Sequence, residues 1–241
     1  MHDRNLENAD APARRDLLRG AVGALIGSVS VAGAASAPGQ IASNDTIRGD
    51  RRRALIDPGT AQVLFVDLQA SLVAQSRTAT PKAIETAAGV LAQVAQILKL
   101  PSLFSVVPEG SKPPRLIARL SPYSTPANTL LRKPAGALMD APTERALART
   151  RRSTLFIAGY AAEVAVLQAA LDAIAAGYTV YYVVDCIGSS SPRTEAATFR
   201  ELDLAGATPT SVLSLTTRLA PDFSSSPGSE TFAALAPILK Q

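Results

Sequence analysis

At 241 residues, 47% hydrophobic and 18% charged, the chain has room for one well-buried α/β domain and not for two large ones. A formal charge of +4 is too small for the electrostatic footprint of a nucleic-acid binder. The single histidine, His2, stands in the N-terminal tail, which excludes a His-based triad, a histidine general base or a His-ligated metal in the folded part.

Residues 1–37 are expected to be an export signal. Arg14, Arg15 and Arg19 surround two leucines, an uncharged run follows from Gly20, and the run closes on Ala35-Ser36-Ala37. This is the charged, apolar, small-residue order of a secretory signal, and the paired arginines resemble the twin-arginine type. The run is about 18 residues long and rich in Gly, Ser and Ala, which is marginal for a membrane anchor. The expectation is therefore a periplasmic or otherwise exported protein with no stable membrane insertion after cleavage. Residues 38–54, polar and holding Arg48 with Arg51, Arg52 and Arg53, read as a linker.

The domain is expected over 55–221, with 222–241 as a C-terminal tail. The run "AQVLFVDLQ" has the pattern of a buried parallel strand, closed by Asp67 and Gln69. Pro81 opens a helix whose apolar positions Ile84, Ala88, Leu91, Val94, Ala95 and Leu98 follow the helical period, and "PSLFSVV" is the next strand. Residues 108–142 hold many Pro, Ser and Gly and read as a long irregular crossing. "STLFIAG" and "YTVYYVVD" are strands on either side of the helix that follows Tyr160, and "TSVLSL" reads as the last strand. Alternation of strands and helices means a doubly wound parallel sheet, and ligands of such sheets sit beyond the carboxyl ends of the strands. Asp67, Gly159 to Ala165 and Asp185 to Ser189 all fall there. Cys186, the single cysteine, has no partner for an internal disulfide and reads as a small buried hydrophobe.

The segments "LFVDLQASL", "LRKPAGALMD" and "LFIAGYAAEVAVLQAALDAIAAGYTVYYVVDCIGS" resemble the isochorismatase-like, or cysteine hydrolase, superfamily, above all its YcaC-like branch. The resemblance spans about Ile56 to Pro221. It implies a mostly parallel six-stranded sheet with helices on both faces. It also implies a site made of an aspartate after the first strand, a basic residue in the crossing and a cysteine opening the third helix. The aspartate falls on Asp67, the family's base, and the basic residue on Arg132 or on its neighbour Lys133. Pro134 restricts Lys133 to extended backbone, so one of the two basic side chains faces the site. Gln69, Tyr160, Ala161 and Ala162 are the substrate-binding candidates.

The family reads Gly-Val-x-Thr-x-x-Cys-Val where this chain has Gly159-Tyr160-Ala161-Ala162-Glu163-Val164-Ala165-Val166. Ala165 stands at the nucleophile position and has no group that can attack. The family's cis peptide would fall at Ala161-Ala162. The metal-binding histidines of the nicotinamidase branch have no counterpart, so no cofactor or metal is expected.

Thiol amidase activity is thereby discarded, since loss of the nucleophile lowers acyl transfer by several orders of magnitude. Two readings stay open. One is a pseudoenzyme that keeps a small-molecule site without cysteine-dependent turnover. The other is cysteine-independent hydrolysis of the isochorismatase type, with Asp67 as general acid and Arg132 or Lys133 holding the substrate's carboxylate. The expected partners are a small organic molecule and further copies of the chain, as the family commonly associates.

Overall fold

In a computed structural model the protein is described over residues 55–240, apart from Lys112. The expected signal at 1–37 and most of the linker at 38–54 lie outside these residues. Strand β1 (Ala61–Val66) is buried at every position, as a strand covered on both faces must be. It pairs in parallel with β2 (Ser102–Val106) on one side and β4 (Thr154–Tyr160) on the other. With β3 (Thr129–Leu131), β5 (Thr179–Gly188) and β6 (Thr208–Thr210) the sheet runs β3-β2-β1-β4-β5-β6, with every pairing parallel.

Because side chains alternate along a strand, β1 feeds two separate cores. Val63 and Phe65 join Phe104 and Phe156 in one cluster, where Phe65 and Phe104 stack with ring centroids 4.9 Å apart. Leu64 and Val66 join Leu155 and Ile157 in the other. Gln62 is the polar exception on β1, and its amide is satisfied by the Arg152 carbonyl and the Thr150 hydroxyl.

Short helix α1 (Ala70–Val73) follows β1, and α2 (Pro81–Ile97) starts where the sequence puts it. Thr80 caps α2 by accepting from the Ala83 N–H, and Pro81 occupies the first turn, where a missing N–H is harmless. Its Ile84, Ala88, Leu91, Val94 and Ala95 are buried in the Phe65 cluster. Helices α3 (Ala141–Arg149), α4 (Leu167–Ala175) and α5 (Pro192–Ala205) send Leu147, Ala169 and Leu202 into the opposite cluster. Gly206, at φ 98°, adopts the left-handed backbone that ends α5 and that glycine adopts most readily.

Three expectations need correction. "TSVLSL" is not the last strand: β6 ends at Thr210, Ser211 caps α6 (Val212–Leu219) by accepting from the Ser214 N–H, and Asp185 accepts from the Val212 N–H. Its apolar Val212, Leu215 and Leu219 are spaced for a helix face, and that face is buried. The crossing at 108–142 carries the edge strand β3 and a short 3₁₀ helix, Ala118–Tyr123, inside its irregular chain. The segment after Pro221 is more than a tail: it forms α7 (Gly228–Ala234) and α8 (Ala236–Leu239), and Ala234 and Leu235 join the Phe65 cluster. Among the described residues no helix is long and apolar enough to cross a membrane.

Candidate functional site

The site candidates lie where the carboxyl ends of β1, β2, β3 and β4 converge. Val66, the last residue of β1, is in register with Ser105 of β2 and with Gly159 of β4. Gly159 is required by close approach, because a Cβ there would lie 2.6 Å from the Val66 carbonyl oxygen. Continued as a strand, residue 67 would share the face of Phe65. Asp67 instead has φ 52°, a left-handed conformation that aspartate tolerates better than most residues, and the alternation breaks there.

The backbone of Arg132 extends the β3 ladder by one bond, its N–H donating to the Val106 carbonyl at 2.9 Å. Alternation then puts its side chain on the face of Leu130, as it puts Ser105 on the face of Leu103. The guanidinium meets Asp67 in a bidentate pair, Nη1 to Oδ1 at 2.5 Å and Nη2 to Oδ2 at 2.7 Å. Nη1 also donates to the Ser105 hydroxyl and Nη2 to the Ala135 carbonyl. Arg132 is 1% exposed and Asp67 6%, and the Arg132 Nε is buried without a hydrogen-bond partner among the described residues. Burial raises the Asp67 carboxyl above its ordinary value, and the hydrogen bonds and charge of Arg132 pull against that rise. Of the two basic candidates, Arg132 turns inward and Lys133 is exposed.

Ala165 lies at the head of α4, within a π-helical turn, Ala162–Val166. The Ala161 carbonyl accepts from the N–H groups of Val164, Ala165 and Val166. Ala165 is 1% exposed and belongs to the cluster of Leu64, Val66, Ala137 and Ala162, so the position where the resemblance expects a nucleophile is packed space. The cis peptide bond is Tyr160-Ala161, one residue before the expected Ala161-Ala162, at the junction where β4 ends and the helical turn begins. Tyr160 is buried, with its hydroxyl pushed up by burial and by the Glu163 charge, against Arg77. Ala162 is fully buried and Ala161 partly so.

Gln69 is fully buried, and its amide is committed to one backbone residue: Nε2 donates to the Val107 carbonyl at 3.0 Å and Oε1 accepts from the Val107 N–H at 2.8 Å. Both polar ends are thus occupied, and Gln69 fastens the exit of β1 to that of β2.

Sequence reasoning passed over Ser105 and Glu163. Nothing in "PSLFSVV" marks Ser105 as an arginine partner. The Glu163 carboxylate accepts from the hydroxyls of Ser189 at 2.6 Å, Ser190 at 3.1 Å and Thr194 at 3.2 Å, tying the helix head to the exit of β5. Burial pushes its carboxyl up, but these hydrogen bonds outweigh that and hold it below the usual range. The run Ser189-Ser190-Ser191 was the available signal. Cys186 is fully buried, with its thiol pushed well up by burial and by the Asp185 charge. Among the described residues no three His, Cys, Asp or Glu side chains gather as a metal site.

An all-parallel sheet in this order, with an aspartate leaving β1 onto a basic residue just past β3, is the arrangement expected of an isochorismatase-type domain. Residues 61–214, more than half of the chain, match the isochorismatase domain, and the chain belongs to that family. It is 31% identical over 159 residues to "Probable hydrolase YcaC" of Escherichia coli strain K12, covering 63% of this chain and 74% of that protein. The crystal structure of the Escherichia coli YcaC gene product, described as an octameric hydrolase of unknown specificity, superposes with a TM-score of 0.70 at 26% identity. It covers 77% of this chain and 93% of that one. YcaC from Pseudomonas aeruginosa, solved with hexane-2,5-diol and covalent acrylamide, gives a TM-score of 0.71 at 27% identity over 77% of this chain and 92% of that one.

Proposed function

We propose that this protein is an exported isochorismatase-family hydrolase homologue that has lost cysteine-dependent amide hydrolysis while keeping the Asp67–Arg132 centre of a small-molecule site. The observation that carries the reading is Ala165, a buried methyl at the head of α4 where a nucleophile of this architecture would open the helix. Acyl transfer needs an attacking atom there, and the backbone N–H groups at that turn are already used by Ala161. Export rests on the order of charged, apolar and small residues over 1–37. Association into a homo-oligomer is supported by the octamer described for the Escherichia coli relative.

A second reading, hydrolysis with Asp67 as general acid, draws on the burial that raises its carboxyl. Against it, both carboxylate oxygens are bonded to Arg132, so a proton would reach a substrate only after that pair opened. The test is a panel of amides, esters and vinyl ethers incubated with the mature protein. No turnover supports the first reading, whereas turnover abolished by Asp67→Asn replaces it with the second. Cell fractionation with N-terminal sequencing tests export, and an unprocessed cytoplasmic chain would remove that part. Analytical ultracentrifugation tests association, with a monomer at micromolar concentration as the contrary result.

A further inference from the structure

We infer that a cavity on the opposite face of the sheet from Arg132, beside the edge strand β3, is a binding site for a small oxyanion. The cavity, of about 260 Å³, is lined by Arg115, Ser121, Ser124 and Thr129 with Val106 and Pro114 as its apolar wall, and no acidic residue lines it. Thr129 is in register with Phe104, and Val106 shares the Phe104 face, whereas Ser105 and Arg132 occupy the other side. The sheet therefore separates this cavity from the Asp67–Arg132 centre.

The lining residues offer one cation and three hydroxyls, of which the Ser124 hydroxyl already donates to the Ser121 carbonyl at 3.1 Å. The Arg115 guanidinium makes no ion pair or hydrogen bond among the described residues, while its carbonyl is fixed by the Ala70 N–H at 2.8 Å. The nearby Glu109 carboxylate accepts from the Ser71 hydroxyl, the main cause that holds it below its ordinary range. Arg115 is exposed, and its guanidinium is open to an outside partner. Thr129 Oγ1 is buried without a hydrogen-bond partner, and a buried hydroxyl proton lacking an acceptor is unfavourable. An oxyanion supplies acceptors to both groups at once and matches the charge of the arginine. The rim is also preorganised: Leu116 forms an isolated bridge with Gln69, and the Ile117 N–H donates to the Leu68 carbonyl at 2.9 Å. Binding here therefore costs little in ordering the backbone.

The test is calorimetric titration of inorganic phosphate into the full chain at constant ionic strength, with acetate as a second arm to separate a phosphate preference from a general carboxylate site. Saturable binding is expected. It should weaken at least tenfold in Arg115→Ala and severalfold in Thr129→Val, and stay unchanged in Lys133→Ala and in Arg119→Ala, whose arginine borders a different cavity beside Thr80 and Lys82. Thermal melts identify any variant that fails to fold, and the paired variants keep the test readable. Absence of saturable binding to the wild type, equal binding by Arg115→Ala, or loss of binding in Arg119→Ala or Lys133→Ala would overturn the inference.

Discussion

Arg132 gives both terminal nitrogens to the two carboxylate oxygens of Asp67, and the pair is almost wholly shut off from solvent. Two residues 65 positions apart in the chain thereby join the end of β1 to the end of β3. Removing one partner leaves a buried charge uncompensated, which costs about 3–5 kcal/mol. Arg132→Ala and Asp67→Ala should each lose that much in urea unfolding. A loss below about 1 kcal/mol in either would mean that the surviving charge reaches water.

Ala165→Cys places a thiol at the head of α4. The variant is expected to take up acrylamide, the compound present covalently in the Pseudomonas aeruginosa relative, while the wild type stays unmodified because Cys186 is buried with its thiol pushed up. Intact-protein mass spectrometry reads the outcome. The added sulfur enters a packed cluster, so a stability loss of about 1 kcal/mol should accompany it. If the introduced thiol stays inert, the assignment of position 165 as the nucleophile position is wrong.

Gln69→Ala strips the reciprocal bonds from both polar groups of the Val107 backbone. A buried amide left unsatisfied costs about 1–3 kcal/mol, and this loss should show in thermal unfolding with no change in association state. If Gln69 instead serves only a ligand, stability will be unchanged and ligand affinity alone will fall.

Glu163 carries a pH-dependent contribution whose sign is set by its lowered carboxyl. The stabilisation is fully present above the ordinary glutamate value of about 4.3 and is lost as pH falls through the lower folded value. Because the side chain is partly solvated, its size is on the order of 0.5 kcal/mol. Unfolding curves of wild type and Glu163→Gln should therefore differ at about pH 6 and converge near about pH 3. A constant difference across that range would place the effect elsewhere.

Ser211→Ala tests the helix that replaced the expected last strand. Loss of the cap on the Ser214 N–H should cost about 1 kcal/mol in chemical unfolding. A neutral result would mean that the Asp185 contact to the Val212 N–H holds the helix start by itself.

Much of the architecture was legible in local pattern. Fully buried parallel strands are apolar at nearly every position, so "AQVLFV" and "TLFIAGY" announce themselves, and Thr80-Pro81 marks the start of α2 because capping and proline geometry are local. The identity of Ala165 at the helix head was likewise readable in the chain. Short edge elements were less legible: β3 and β6 have three residues each, too few for a period, and "TSVLSL" suits either a strand or a helix until its cap is seen.

Tertiary structure decided what depends on side-chain direction and on distant partners. Sequence spacing pointed to Arg132 but left its neighbour Lys133 as an alternative, and strand alternation past β3 turned the first inward and the second to solvent. The folded chain also commits Gln69 to Val107 and gathers three hydroxyls from the exit of β5 and the first turn of α5 around Glu163. Residue types and local periods are written along the chain. Which buried donor meets which acceptor depends on register between strands that lie far apart in sequence, and that register forms only when the sheet does.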